Sequence, residues 1–147
     1  MKIFIILSTL CAFTYGLAPE VIELIKTHAM EVGKVCQGEV GASESDVKPL
    51  LQHQVPTTRP GKCLLACMHK KEGFQDASGK INKDLSTTSL EKLKALDADY
   101  YEKIKHMIET CIASGIEKDD ECETAAAMLE CGLKEKVKMG IPMIDFE

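Results

Sequence analysis

The chain is 147 residues long, 45% hydrophobic and 28% charged, with a formal net charge of −5, no tryptophan and seven cysteines. That length holds one domain and excludes two of ordinary size. The acidic balance, with no basic stripe, excludes a nucleic-acid binder and a protein drawn to anionic membrane surfaces.

The first segment has the form of a targeting signal. Lys2 precedes the apolar run Ile3 to Tyr15, and small residues follow around Gly16 and Ala18. Residues 1–16 read as a secretory signal peptide whose apolar core is too short for a membrane span. The mature domain is then 17–147, secreted and extracellular, with no stable membrane insertion. Pro19 suits a first helical turn, and Val21, Ile22, Leu24, Ile25, Ala29 and Val32 form a helical stripe running toward Cys36. Gly38 and Gly41 are expected to break it. Ser43 with Asp46 resembles a capping box opening a short helix through Leu51. Val55-Pro56 and Arg59-Pro60-Gly61 end that helix and launch the next, Lys62 to about Lys71. Gly73 and the run Asp76-Ala77-Ser78-Gly79 make a turn. Ser86 to Thr88 cap a helix carrying Leu90, Leu93 and Leu96. Asp97 or Asp99 starts another, with Tyr101, Ile104, Ile108 and Ile112 on one face, ending near Gly115. Asp119 or Asp120 caps a last long helix carrying Ala126, Leu129 and Leu133, which stops at Gly140-Ile141-Pro142. The fold class is therefore all-α, with about six helices.

Removing the signal removes Cys11 and leaves an even set: Cys36, Cys63, Cys67, Cys111, Cys122 and Cys131. An even set in a secreted chain is a disulfide framework. Cys63 and Cys67 are four apart and share one helix face, so they point at neighbouring elements rather than at each other. Cys122 and Cys131 are nine apart and lie on opposite sides of the last helix, which should therefore lie between two partners. Fifteen pairings remain open on spacing alone. Three bridges exceed what minimal stability requires. They suit an over-stapled secreted protein, or one whose covalent ties offset an internal cavity.

The spacing C-x26-C-x3-C-x43-C-x10-C-x8-C resembles the six-cysteine pattern of the insect odorant-binding proteins, with x3 between the second and third cysteines and x8 between the last two. The resemblance spans almost the whole mature chain, and the x43 interval lies at the long end of the family pattern. It implies the pairing Cys36–Cys67, Cys63–Cys122 and Cys111–Cys131, interlocking the helices around a hydrophobic cavity. It also implies a carrier of small hydrophobic volatile ligands, odorants or pheromones, through aqueous lymph (sensillar lymph or haemolymph). An olfactory receptor is the partner it suggests, and the carrier would be a monomer or weak homodimer.

Other chemistries fit poorly. Cys63, Cys67 and His69 lie close enough to suggest zinc, but an oxidising compartment favours bridges, so neither metal nor cofactor is expected. The chain has no G-x-S-x-G elbow, no H-E-x-x-H, no P-loop and no dinucleotide fingerprint. His28, His53, His69 and His106 are scattered, and no enzyme is expected. The mature methionines suit an adaptable apolar pocket. The candidate ligand-binding residues are Ile25, Met68, Leu93, Ile104, Ile108, Ala126, Leu129 and Phe146, with Tyr101 as the hydroxyl donor. Beyond Gly140 come Ile141, Met143, Ile144 and Phe146, interleaved with Asp145 and Glu147, the pattern of a tail that packs back over an opening; the resemblance implies that such a tail forms a wall or lid of the cavity. The alternative function is a secreted defence or toxin-like protein that binds a macromolecule, solid inside and carrying an exposed apolar patch.

Overall fold

Capping residues divide the chain into six helices: α1 (Pro19–Val40), α2 (Glu44–Leu51), α3 (Arg59–Glu72), α4 (Thr88–Leu96), α5 (Ala98–Ala113) and α6 (Glu121–Met139). The structure, a computed structural model, describes residues 16–85 and 87–146. The segment through Tyr15 that was expected to be a signal peptide, with Lys2 and Cys11, as well as Ser86 and Glu147, lies outside the described residues. Among the described residues the one β feature is an isolated bridge between Gln75 and Ile81.

The caps are those that the side-chain chemistry favours. The Ser43 backbone N–H and hydroxyl both donate to Asp46 Oδ2, at 2.8 and 2.7 Å. Thr58, Thr87, Asp97 and Asp120 each accept a backbone N–H from the first turn of the helix that follows. Two boundaries differ from the sequence reading. Gly38 does not break α1, which runs on to Val40 and closes at Gly41 with φ 66° and its N–H on the Gln37 carbonyl. A helical glycine costs only about 1 kcal/mol, whereas the left-handed closure at Gly41 ends the ladder. Likewise α3 begins at Arg59, three residues before the expected Lys62, because Thr58 is the cap and Pro60 fits the first turn, where no N–H is needed.

Helix α3 is central, packing chiefly on α6 and α1. Cys36–Cys67 ties α1 to α3, Cys63–Cys122 ties α3 to α6, and Cys111–Cys131 ties α5 to α6, with Cα separations of 5.7, 4.5 and 5.8 Å. Half-turn spacing of Cys122 and Cys131 places α6 between α3 and α5, as the nine-residue interval requires. Helix α4 carries no bridge and is held by packing on α5. Its core cluster joins Leu90 to Tyr101 and Ile108, with Phe74, Met107 and Met128 against it. A second cluster unites the two ends of the domain, Leu17 and Val21 with Tyr100, Ile141 and Ile144.

The α2–α3 corner is built around Asp46, which is only 8% exposed. Besides its bonds from Ser43, its Oδ1 accepts the Thr58 hydroxyl at 2.6 Å. These bonds, that from Thr58 foremost, hold the Asp46 carboxyl below its ordinary pKa. Gly61 makes the corner possible, since a Cβ there would lie 2.7 Å from Pro56 Cβ and 3.0 Å from Thr58 Oγ1. Gly61→Ala should therefore destabilise the fold by about 1–3 kcal/mol despite the better helix propensity of alanine, as read by urea unfolding. A neutral or stabilising result would show that the corner yields. In the chain-entropy model, removing the long Cys63–Cys122 link, 59 residues apart, with paired alanines should cost about 4 kcal/mol. Removing Cys111–Cys131, 20 residues apart, should cost about 3 kcal/mol. The reverse order in denaturant midpoints would show that native packing outweighs loop closure.

Candidate functional site

A cavity of about 830 Å³ lies between the helices, bounded by all six and by the C-terminal tail. Its walls are mostly aliphatic. Ile25, Ala29, Val32 and Gly33 come from α1, Leu50 from α2, Leu64 and Met68 from α3, Leu93 from α4, Ile104 from α5, and Leu129 and Leu133 from α6. The exposed side chains His28, Met30, Glu31 and Lys34 of α1 border it at the surface. Gly33 widens this wall: a Cβ there would meet Met68 at an ordinary contact of 3.8 Å, and anything longer would project further.

Polar groups are few and placed apart. His28 Nε2 lies 2.7 Å from Glu72 Oε1, and the Ser89 hydroxyl donates to Glu72 Oε2, so α1, α3 and α4 meet at one carboxylate. Tyr100 brings a phenol to the wall, and burial, with Asp97 nearby, pushes its pKa up. Lys136 of α6 also borders the cavity, and burial lowers its pKa. His53, held at φ 56°, meets the Phe146 ring at 6.0 Å between centroids.

The tail forms part of the cavity wall. Ile141 and Ile144 are 4% and 7% exposed, while Met143 and Asp145 face outward. The intervening acid therefore stays at the surface while the isoleucines pack against Leu17, Val21 and Tyr100. The Ile141 N–H donates to the Lys136 carbonyl at 2.9 Å, which turns the chain back at the end of α6.

Of the nine residues expected to bind ligand, Ile25, Met68, Leu93, Ile104, Leu129 and Phe146 lie on the cavity wall. Tyr101, Ile108 and Ala126 do not. Tyr101 and Ile108 pack into the α4–α5 cluster, where the Tyr101 ring lies 5.5 Å from Lys94 Nζ. Ala126 is 5% exposed and buried off the wall. The reason is rotational: successive helical residues are about 100° apart, so turning the 101/108 edge toward α4 brings Tyr100 to the cavity. Sequence reasoning also missed Lys136, although its place three residues beyond Leu133 on the same stripe was a usable signal. The sulfurs of Cys63 and Cys67, weighed above as zinc ligands with His69, are both in disulfides.

Comparison with known proteins places this architecture. The sequence model of the PBP/GOBP family matches residues 19–135. General odorant-binding protein 19d of Drosophila melanogaster is 32% identical over 122 residues, 82% of this chain and 80% of that protein. General odorant-binding protein 28a of the same species is 36% identical over 115 residues, 76% and 78% of the two chains. Among solved structures, Drosophila odorant-binding protein 28a superposes with a TM-score of 0.63 at 34% identity, covering 82% of this chain and 97% of that one. Odorant-binding protein 7 from Anopheles gambiae, which has four disulfide bridges and is in complex with an azo compound, gives 0.62 at 28% identity, covering 80% and 89%.

His69 stands outside the cavity wall, beside Phe74. Its ring meets Phe74 edge-on at 6.1 Å. Burial drives its pKa down to about 4, against the opposing influence of the neighbouring Gln75 side chain and the charge of Glu72. Above about pH 6.5 the ring is neutral in both folded and unfolded chains. As pH falls from there toward 4, the unfolded chain takes up a proton that the folded chain refuses, and up to about 3 kcal/mol of stability is lost. His69→Phe should flatten the pH dependence of the urea midpoint across that window. An unchanged slope would assign the acid sensitivity to other groups.

Proposed function

The chain belongs to the PBP/GOBP family of odorant-binding proteins, and from that premise we propose that it is a secreted carrier of small hydrophobic molecules, odorants or pheromones, through aqueous lymph. The observation that carries the reading is the apolar cavity of about 830 Å³, within the range of small-molecule sites. An azo compound in the similar Anopheles protein supports a small apolar ligand. Binding is burial: each methylene removed from water contributes about 0.8 kcal/mol, so eight supply about 6 kcal/mol before the costs of association. Ile25, Met68, Leu93, Ile104, Leu129 and Phe146 make the apolar contacts, and the Tyr100 hydroxyl takes the orienting role expected of Tyr101. No chemistry is done on the ligand. Residues 1–16 direct secretion, and the loaded carrier delivers to an olfactory receptor. No helix among the described residues is long and apolar enough to cross a membrane.

An apolar fluorescent probe should bind at micromolar concentration and be displaced by long-chain alcohols, aldehydes and esters. Gly33→Leu, which projects into the cavity beside Met68, should weaken probe binding about tenfold while helicity by circular dichroism stays intact. Failure of the probe to bind, or of every apolar ligand to displace it, would overturn the carrier reading in favour of macromolecule binding.

A further inference from the structure

Resting on the carrier reading above, we propose that the cavity is built to receive a carboxylate: Lys136 holds the head group of a medium- to long-chain carboxylic acid whose hydrocarbon tail lies along the aliphatic walls. The first observation is one of pattern. Leu129, Leu133 and Lys136 follow one another at i, i+4 and i+7, a single stripe of α6, and all three border the cavity. Helical periodicity calls for an apolar residue at the third position. A cation there breaks the pattern where a ligand would lie, which is where such violations mark function.

The second observation is electrostatic pairing. Lys134 and Lys138, which flank Lys136 in sequence, reach Glu130 and Glu135 at 2.7 and 2.6 Å. Lys136 has no ion-pair or side-chain hydrogen-bond partner among the described residues. Its place on the wall is nonetheless defined, because its carbonyl takes the Ile141 N–H that folds the tail back. A partly desolvated ammonium without a counter-charge is costly, and a ligand carboxylate offsets that cost with a charge-assisted hydrogen bond. Burial lowers the pKa of this amine, the direction expected of a cation whose partner is missing.

The remaining charged groups leave Lys136 as the receiving end. Both oxygens of Glu72 are engaged, by His28 and Ser89, and its charge repels an acid head group. Glu31 and Lys34 also border the cavity, but on the exposed rim, where solvent screens them.

The test compares dodecanoic acid, dodecanol and methyl dodecanoate as displacers of the apolar probe at neutral pH. The native chain and its Lys136→Met, Lys136→Arg and Lys34→Met variants are each measured. Methionine keeps the apolar stem and removes the charge; arginine keeps the charge. The native chain should bind the acid about tenfold more tightly than the methyl ester, the scale of one charge-assisted hydrogen bond. Lys136→Met should abolish that preference while leaving alcohol and ester affinities within about twofold, and Lys136→Arg and Lys34→Met should retain it. Equal binding of acid and ester by the native chain, a preference surviving Lys136→Met, or one lost in Lys34→Met would each overturn the inference while leaving the carrier reading standing. No displacement by any of the three would sink the carrier reading itself.

Discussion

The rest of the structure depends on one constraint: the centre of this domain is left unfilled. A space of about 830 Å³ forfeits the contacts that a packed core would make there. The apolar side chains accordingly divide into four buried clusters around the void rather than one continuous core. Three disulfides offset that loss where it matters most. Two converge on α3 and two on α6, so α1 and α5 are tied to these two elements and these to each other, while α2 and α4 are held by packing. The framework constrains the unfolded chain and also keeps the walls from closing inward.

Where covalent ties are absent, the fold relies on packing between the chain's two ends. Leu17 and Val21 at the start of α1 bury against Ile141 and Ile144 of the tail, with Tyr100 between them. The spacing of buried Ile141 and Ile144 among exposed Pro142, Met143 and Asp145 lets the tail cover an apolar space while its acid stays at the surface. The charged groups that do border the cavity differ in kind. The Glu72 carboxylate is satisfied by its own neighbours, whereas the Lys136 ammonium has no such partner among the described residues, and that asymmetry gives an otherwise greasy container a polar direction.

Much of this was legible in the chain itself because it is set by local chemistry. Ser43 and Asp46, Thr87, Asp97 and Asp120 announce helix starts through hydrogen bonds within one turn, and Gly140 announces an end through its left-handed φ of 64°. Gly38 misled because glycine weakens a helix without being able to end it; only the closure at Gly41 does that. The cysteine intervals also carried geometry, since four residues place two sulfurs on one face and nine place them on opposite faces. Which sulfur joined which came from family resemblance, and the structure carries that pairing.

The sequence by itself determined the all-α class, the positions of most helix ends, and a stripe of apolar residues on each long helix. Only the tertiary structure decided which edge of each stripe faces empty space and which faces another helix. An apolar side chain is equally well removed from water in either place, so hydrophobic periodicity cannot separate Ile104 on the wall from Ile108 in the α4–α5 cluster. A rotation of α5 by a single residue exchanges Tyr101 for Tyr100, and that rotation is fixed by how Leu90 and Phe74 pack beside it. The cavity belongs to the arrangement of six helices at once, because no segment read alone contains a void.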